Sequence, residues 1–367
     1  MFNAVYKDKT VLITGNTGFK GSWLTLWLLK LGANVVGISD EIPTKPSLFD
    51  ALKIEDKINH YFVDITDLNS VKEIINESKP DFIFHLAAQA IVSTSYSDPI
   101  KTITSNVLGT ANILEAIRFI DWNCTAIIIT SDKCYDNVEW VYGYKETDSM
   151  GGKDIYSGSK GAAEIVIKSY FHSFIKQKPN ISLAIGRAGN VIGGGDWAKD
   201  RIVVDCVSSW SKSKTVDIRC PDATRPWQHV LEPLSGYLLL GSKAANDSSL
   251  NGEAFNFGPN PDSNKTVVNL IEDLATNWGF EDLDKAFNIS DNLPFHEASL
   301  LKLNCDKALF HLNWKANLNY RSTINLISDW YSSYYNKTSV DMEQLTNKQI
   351  AFYENEAESK GLSWTKE

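Results

Sequence analysis

Residues 10–22 read TVLITGNTGFKGS, and this stretch decides the fold of the 367-residue chain. Its first five residues form a short run of β-branched and apolar side chains, which predicts a strand. Glycines follow at positions 15, 18 and 21, and residues 22–31 have helical character. Here Gly15 permits a tight turn, Gly18 lets the backbone approach a pyrophosphate, and Gly21 allows close packing of helix on strand. The sequence therefore predicts a dinucleotide-binding turn, with free N–H groups at the helix start facing the phosphates.

Beyond this glycine turn (residues 15–21), predicted strands and helices alternate along the first half of the chain. Strands are expected at residues 34–39, 61–64, 81–87, 125–131 and 181–185. Asp67 is expected to cap one intervening helix, and another helix follows Asp98-Pro99 and carries Asn106. Alternation of this kind predicts an α/β fold, a doubly wound parallel Rossmann sheet with a smaller α/β substrate domain. Ligands then bind beyond the carboxyl ends of the strands.

The length of the chain suits about two domains. We assign residues 1–186 plus about 226–260 to the dinucleotide-binding Rossmann domain. The smaller substrate domain is expected to take about 187–225 plus 261–336, and residues 337–367 are expected to form a C-terminal helical tail. Apolar residues at helical spacing in 266–278 and 324–335 predict core helices of the smaller domain.

The composition of the chain argues against two classes of binding partner, nucleic acids and membranes. The net charge of −9 and the lack of a basic stripe argue against a nucleic-acid partner. No apolar run reaches the roughly 18 residues of a membrane span, so we expect no membrane partner. The five scattered cysteines, without a Cys-x-x-Cys, predict reduced thiols and a cytoplasmic location.

Acidic residues end two of the predicted strands. Asp40 follows the second strand, where it either binds the adenosine ribose of a dinucleotide or lies solvated in a loop. Asp64 ends the third strand, where it would face the adenine. No arginine that could accommodate a 2′-phosphate stands near Asp40, which favours NAD over NADP.

Two groups of reactive side chains are expected at the carboxyl ends of the sheet. Ser131, Asp132 and Lys133 end the fifth strand, although a plain polar turn would look the same. Tyr156 and Lys160 stand four apart in a segment of helical character, so they share one helix face. A lysine ammonium beside a phenol lowers the pKa of the phenol, which suits the tyrosine to take a proton from a sugar hydroxyl.

Together, the glycine turn, the serine at the fifth strand end and the Tyr-x-x-x-Lys spacing resemble the extended short-chain dehydrogenase/reductases, the NAD-dependent epimerase/dehydratase family. Within it, the chain closely resembles the CDP-glucose 4,6-dehydratases from about residue 9 to residue 335. The segments that carry this resemblance are residues 13–23, 43–49, 85–89, 131–135, 150–152, 187–197 and 225–230.

The resemblance implies a lyase that moves hydride from C4 of the glucose to NAD, loses water across C5 and C6, and returns hydride to C6. It implies that Tyr156 is the base at the C4 hydroxyl, that Ser131 hydrogen-bonds the C4 oxygen, and that Lys160 holds the nicotinamide ribose. Asp132 would protonate the departing C6 hydroxyl. Lys133 stands where related dTDP-glucose dehydratases carry glutamate. It is either a base at C5 or a cation that stabilises the enolate, and the sequence leaves both open.

The resemblance also implies ligand contacts, none of them to a metal. Cofactor contacts are expected from Gly15, Thr17, Gly18, Phe19, Gly21, Asp40, Asp64, Ile65, Leu86, Ala87, Ala88, Asn106, Tyr156 and Lys160. Substrate contacts are expected from His85, Gln89, Asn190, Arg201, Arg225 and His296, although a lone histidine such as His296 is more often structural. Arg201 and Arg225 are candidates to clamp phosphate because arginine presents a planar fork of donors. Residues 193–195, three glycines, either form a flexible connector or a crossing point that brings Asn190 to the diphosphate.

Partners and rival functions follow from the same resemblance. A homodimer is expected, through the helix that bears Tyr156 and the helix after Asn106, with a role in deoxysugar and O-antigen biosynthesis. Ser93 stands where the family commonly carries a basic residue, which bears on the substrate accepted. The alternatives are a dehydratase or 4-epimerase acting on another nucleotide sugar, and an NAD-sensing protein without catalysis.

Overall fold

A computed structural model describes residues 1–260, 263–290, 301–336 and 340–366 of the chain. The strands of its central sheet are β1 (Thr10–Thr14), β2 (Asn34–Ser39), β3 (Asn59–Phe62), β4 (Phe82–His85), β5 (Cys124–Ile129), β6 (Ile181–Ala188) and β11 (Ala254–Phe257). The shorter strands are β7 (Val191–Ile192), β8 (Val216–Ile218), β9 (Thr224–Pro226), β10 (Gln228–His229), β12 (Asn264–Thr266) and β13 (Phe287–Ile289).

The helices follow the same chain order. They are α1 (Phe19–Lys30), α2 (Leu48–Ala51), α3 (Leu68–Ser78), α4 (Val92–Ser97), α5 (Pro99–Ile103), α6 (Gly109–Ile117), α7 (Ile155–Tyr170), α8 (Ile202–Trp210), α9 (Leu231–Ala244), α10 (Val267–Trp278), α11 (Asp306–Leu312), α12 (Tyr320–Asn336) and α13 (Met342–Ser359). A π-helical stretch, Thr104–Leu108, joins α5 to α6. Among the described residues, no helix has the length and apolar character that crossing a bilayer requires.

The central sheet is parallel throughout, with strand order β11-β6-β5-β4-β1-β2-β3. The predicted doubly wound Rossmann sheet is therefore confirmed. β1 lies between β2 and β4, so the strand order reverses beside it and opens a crevice at its carboxyl end. Thr14 and His85 are neighbours at that end of β1 and β4.

Alternating side chains of each strand build a core on both faces of the sheet. In β1, Val11 and Ile13 face one core while Leu12 faces the other, as the two-residue period of a strand requires. The first core is covered by α1 and α9, which are buried along most of their lengths. The second is covered by α3, α6 and α7, and α3 begins as expected at Asp67, whose side chain accepts from two backbone N–H groups.

Short strand pairs and helices after β6 build a smaller layer over the carboxyl ends of the sheet. β7 pairs with β10, β8 with β13 and β9 with β12. The expected core helices appear as α10 and α12, each with a buried apolar face. The domain boundaries assigned from the sequence stay a prediction.

The C-terminal segment is helical as expected, and it is built into the first core. Tyr353 of α13 donates a hydrogen bond to Glu232 of α9 at 2.8 Å, and the indole of Trp27 in α1 donates to Glu354 at 2.9 Å. Burial raises the pKa of Glu232 to about 7. The last helix therefore belongs to the packing of the dinucleotide-binding sheet.

Candidate active site

The glycine turn has the geometry that phosphate binding needs. Gly15 adopts a φ of +77°, and a Cβ there would lie 2.8 Å from the backbone nitrogen of Ala87. A Cβ on Gly21 would overlap the Gly15 carbonyl oxygen, so only glycine lets α1 pack onto the turn. A Cβ on Gly18 would meet one atom, at 3.4 Å, and otherwise fill the space in front of the helix start. The turn therefore forms a cradle that a pyrophosphate fits.

Polar groups hold this turn against the end of β2. The Thr17 hydroxyl donates to the Glu41 carbonyl oxygen at 2.7 Å, and the Thr17 N–H donates to the Ser39 hydroxyl at 3.3 Å. Asp40 is exposed at the end of β2, with its carboxylate accepting from the Glu41 N–H at 3.0 Å. An exposed carboxylate beside the turn suits a ribose contact, which stays a prediction. Phe19 packs toward the backbone of Gly193.

Other expected cofactor residues lie in the loops after β3 and β4. Asp64 is exposed and accepts from the Thr66 N–H at 2.8 Å. Ile65 is buried against Gly109. Half-buried residues follow β4 beside Gly15, namely Leu86, Ala87 and Ala88. These positions border the crevice at the carboxyl end of β1.

The five proposed catalytic residues meet at one edge of the sheet. A turn after β5 carries Ser131, whose hydroxyl donates to Asp132 Oδ1 at 2.9 Å and accepts from the Lys133 N–H at 3.3 Å. Ser131 lies close enough to the Tyr156 phenol to lower its pKa. Lys160 Nζ lies 6.0 Å from the centre of the Tyr156 ring. The serine therefore links the strand end to the tyrosine of α7.

The expectation that Lys160 lowers the pKa of Tyr156 does not match the electrostatics of this structure. Burial raises the pKa of the Tyr156 phenol to about 12, opposed by the charge of Arg201 and the nearby Ser131. Burial also lowers the pKa of Lys160 to about 8. The desolvation of a buried charge outweighs the attraction between the two groups, and the cation that favours the phenolate is Arg201.

The surroundings of Asp132 suit it to act as a general acid. It is only 4% exposed, and burial raises the pKa of its carboxyl. The charges of Lys133 and Lys20 and the bond from Ser131 oppose that rise. The carboxyl therefore keeps its proton to higher pH than an exposed aspartate does.

Lys20, in the glycine turn, belongs to this site and was missed by the sequence analysis. Burial lowers its pKa to about 8, with the charges of Arg201 and Lys160 acting in the same direction and those of Asp132 and Asp196 opposing them. In the part of the chain that the structure describes, its ammonium has no hydrogen-bond or ion-pair partner. A signal was present in the sequence, because a cation in the first turn of a helix opposes the helix dipole unless an anion binds there.

Three of the expected substrate residues line one cavity of about 160 Å³ in the smaller layer. Asn190, Arg201 and Arg225 line it together with Arg219. Five acidic or aromatic side chains complete the lining, namely Asp196, Asp200, Asp205, Trp227 and Tyr331. Arg201 begins α8 and Arg225 lies in β9. His296 lies outside the described residues.

The three glycines beside this cavity pack closely, so the reading of a flexible connector is wrong. A Cβ on Gly194 would overlap the ring of Trp330, and the indole of Trp23 donates to the Gly194 carbonyl oxygen at 2.9 Å. Gly195 has a φ of +83° against Leu48. Small residues are needed here because the chain crosses directly beneath aromatic rings.

Comparison with known proteins places this geometry in a family. The GDP-mannose 4,6 dehydratase family model matches residues 12–327. The chain belongs to the GDP-mannose 4,6 dehydratase family. The CDP-glucose 4,6-dehydratase of Salmonella typhimurium is 44% identical over 336 residues, which are 90% of this chain and 92% of that protein. The CDP-paratose 2-epimerase of Salmonella typhi is 29% identical over 88% of this chain and 99% of its own length.

Solved structures share the fold of this family member. The dTDP-glucose 4,6-dehydratase of Streptomyces venezuelae with NAD bound has a TM-score of 0.76 at 18% identity, covering 88% of this chain and 97% of that one. The UDP-glucuronic acid 4-epimerase of Bacillus cereus, with UDP-glucuronic acid and NAD, has a TM-score of 0.76 at 22% identity, covering 89% of this chain and all of that one.

In this dehydratase-family chain, a buried ion pair positions α7 and was also missed from the sequence. Arg187 of β6 donates to both carboxylate oxygens of Glu164, at 2.8 and 2.9 Å, and to the Tyr135 hydroxyl at 2.8 Å. Glu164 lies one turn beyond Lys160 on α7. The pair therefore fixes the helix that carries Tyr156 against the sheet.

Two residues expected to contact substrate are engaged within the protein. The ring nitrogens of His85 contact the hydroxyls of Thr14 and Thr110 at 2.7 and 3.1 Å, and burial lowers its pKa to about 3. This neutral ring has no nitrogen left for a sugar, which argues against the expected contact. The Gln89 amide donates to the Thr102 hydroxyl at 2.8 Å and accepts from the Ile91 N–H at 2.5 Å.

Asn106, expected to contact the cofactor, organises the floor of the site. It is buried in the π-helical stretch, and its amide donates to the Gln89 carbonyl oxygen at 3.1 Å and to the Ser159 hydroxyl at 2.9 Å. Ser159 lies on α7 between Tyr156 and Lys160. Asn106 therefore acts on the site by holding the catalytic helix. Interruptions of this π-helical kind are frequent at functional sites.

Proposed function

We propose that the chain is a CDP-glucose 4,6-dehydratase, an NAD-dependent lyase that converts CDP-glucose to CDP-4-dehydro-6-deoxyglucose and water. The observation that carries this proposal is the meeting of Ser131, Asp132 and Lys133 with Tyr156 and Lys160 beside the glycine turn. A reductase or 4-epimerase needs a tyrosine and a lysine, but it does not need an acid and a second cation at the strand end. The 44% identity to a CDP-glucose 4,6-dehydratase supports the elimination and the cytidine nucleotide.

The chain's own residues fit NAD. The glycine cradle suits the pyrophosphate, exposed Asp40 suits the adenosine ribose, and Lys160 suits the nicotinamide ribose. NAD, when bound, takes up hydride from C4 of the sugar and gives it back at C6. The protein supplies position and proton transfer around that exchange.

Proton transfer at C4 is assigned to Tyr156 and Ser131. Tyr156 takes the proton of the C4 hydroxyl as the ketone forms, and Ser131 donates a hydrogen bond to the C4 oxygen. The charge of Arg201 and the contact with Ser131 are the local features that favour the phenolate. The new ketone makes the C5 hydrogen acidic.

Elimination is assigned to Asp132 and Lys133. The proton at C5 is removed, the C5–C6 double bond forms as the C6 hydroxyl departs, and Asp132 gives that hydroxyl a proton so that water leaves. The raised pKa of Asp132 suits this role, because a general acid must carry the proton that it gives away. Lys133 follows directly, and two roles stay open to it. As a neutral amine it takes the C5 proton and returns it to C5 when hydride adds at C6; as an ammonium it stabilises the negative charge of the enolate.

A homodimer is part of the proposal. Exposed apolar side chains lie on α7, one of the two helices expected to pair, and on α5 and the π-helical stretch that precede the other; they are Ile100, Ile103, Leu108, Ile155 and Ile165. The other helix expected to pair, α6, carries none of the exposed large apolar residues. Ile100 is 71% exposed and Ile165 is 59% exposed, which is costly for a helix that faces only water. Light scattering of the purified protein tests the proposed homodimer, and the mass of a monomer would contradict it.

The test of the function is incubation with NAD and, separately, CDP-, dTDP-, UDP- and GDP-glucose, followed by mass spectrometry of the product. We expect the loss of one water from CDP-glucose, and no loss with Tyr156→Phe, which keeps the ring but removes the hydroxyl. Water loss from another nucleotide sugar alone contradicts the proposed substrate, and an unchanged mass with an isomerised sugar indicates an epimerase. Binding of NAD without any reaction indicates a sensor.

A further inference from the structure

The substrate cavity contains a carboxylate and a guanidinium that the proposed reaction does not use. Asp205 and Arg219 both line the cavity, and the charge of Arg219 lies close enough to lower the pKa of Asp205. Asp205 lies on α8 one turn beyond Arg201, whose carbonyl oxygen accepts its N–H at 2.9 Å. At 1.5 Å per residue, four residues along a helix place Asp205 about 6 Å further along the axis than Arg201.

The two ends of the cavity differ in what surrounds them. Arg201 acts on the catalytic Tyr156, so its end of the cavity faces the reacting sugar. The charges that act on Asp205 are those of Asp200 and Arg219, and no catalytic residue is among them. In a nucleoside diphosphate sugar the diphosphate separates sugar from nucleoside. A substrate held at the diphosphate by Arg201 therefore directs its base toward Asp205 and Arg219.

Asp205 is only partly exposed, and its carboxylate lacks a protein donor. Among the residues that the structure describes, no hydrogen bond and no ion pair within 4.0 Å ends on its oxygens or on the Arg219 guanidinium. A desolvated polar group without a partner costs stability, and that cost is recovered when a ligand supplies the missing bond.

We propose that Asp205 and Arg219 read the base of the nucleotide, which rests on the proposed function. Asp205 accepts from the 4-amino group of cytosine, while Arg219 donates to ring N3 and to the O2 carbonyl. The pair matches an edge that presents one donor and then two acceptors. Uracil and thymine present a carbonyl oxygen at position 4, which the Asp205 carboxylate repels, and an N–H at position 3, which Arg219 cannot serve.

Because Asp205 titrates, the recognition of the base by Asp205 and Arg219 depends on pH. Burial and the charge of Asp200 raise its pKa to about 6, with Arg219 opposing the rise. The other charged groups that line the cavity are Asp196, Arg201 and Arg225. Above its pKa the carboxylate only accepts hydrogen bonds, so cytosine is preferred. Below its pKa the protonated carboxyl donates to the position-4 oxygen of uracil, so the preference for cytosine weakens.

The test compares kcat/KM for CDP-glucose and UDP-glucose in the wild type and in Asp205→Asn. The amide turns its oxygen to cytosine or its nitrogen to uracil, so we expect the CDP/UDP ratio to fall about 10- to 100-fold, the discrimination that one base contact supplies. Asp200→Asn removes a carboxylate from the same cavity and is expected to leave the ratio unchanged at a pH well above the pKa of Asp205, where that carboxylate is ionised in both proteins. An Asp205→Asn variant that loses both activities in proportion overturns the inference.

A binding measurement keeps the inference falsifiable if the variant turns over slowly. Calorimetry with CMP and UMP, on folded protein checked by circular dichroism, is expected to show the same loss of preference. Equal preference in wild type and variant overturns the role of Asp205 and leaves the dehydratase intact. A wild type that dehydrates UDP-glucose but not CDP-glucose refutes both the inference and the proposed substrate.

Discussion

Substitution of Arg187 tests most directly how the fold positions Tyr156, because the Arg187–Glu164 pair holds α7 against the sheet. The side chains of Arg187 and Glu164 are 3% and 4% exposed, and the guanidinium donates three hydrogen bonds of 2.8–2.9 Å. Arg187→Leu leaves Glu164 buried with the Thr130 hydroxyl as its remaining donor among the described residues. Breaking one side of a buried pair costs about 3–5 kcal/mol. We expect a loss of that size in the free energy of unfolding, measured by urea titration.

The double variant separates two contributions to the loss of stability, namely the loss of the ion pair and the burial of an unpaired Glu164 carboxylate. Arg187→Leu/Glu164→Leu removes both charges, so we expect it to regain most of the stability that the single variant loses. Lys9→Met is the control, since its bond to Asp81 is exposed and such pairs contribute about 0–1 kcal/mol. A single variant as mild as Lys9→Met, or a double variant no better than the single one, refutes the reasoning. The kcat of the double variant is expected to fall because α7 is less firmly held.

Three further outcomes follow from the site. Lys20→Met is expected to lower kcat/KM at least about tenfold, because the site loses a cation that faces Asp132, and Lys20→Arg is expected to restore part of it. The thermal midpoint of Lys20→Met is expected to be no lower than that of the wild type, because the substitution removes a desolvated charge. Equal kcat/KM values for Lys20→Met and the wild type contradict this. The pH profile of kcat/KM is expected to fall above about pH 8, because Lys20 and Lys160 have pKa values of about 8 and lose their charge there; a flat profile to about pH 10 is the contrary result. Gly21→Ala is expected to destabilise the fold by about 1–3 kcal/mol and to weaken NAD binding in a fluorescence titration, because its Cβ overlaps the Gly15 carbonyl; normal NAD affinity contradicts that.

Sequence patterns predicted correctly those features that depend on residues close together in the chain. The glycine turn follows from three glycines between a β-branched run and a helix, and the structure gives Gly15 the positive φ that its position demands. The alternation of strands and helices was enough to predict the parallel sheet. Tyr156 and Lys160 share a face of α7 because four residues make about one helical turn.

The rest depends on contacts between distant parts of the chain. Glu164 and Arg187 are 23 residues apart in sequence, on a helix and a neighbouring strand, so no local pattern joins them. His85 ends a strand, where a ligand-binding residue is expected, and only the fold reveals the two threonines that contact its ring nitrogens. The pKa of Tyr156 depended on burial, which outweighs the nearby lysine and which spacing does not report. The packed glycines at 193–195 needed Trp330 and Leu48 from elsewhere in the chain.

The transfer of hydride from C4 to C6 within one sugar is the central claim, and an isotope label tests it most directly. CDP-glucose with deuterium at C4 is incubated with the protein and NAD, and the product is examined by NMR and mass spectrometry. We predict a 4-keto product that has lost one water and carries the deuterium at C6. Deuterium retained at C4 in an isomerised sugar, or a dehydrated product without deuterium at C6, would contradict the account.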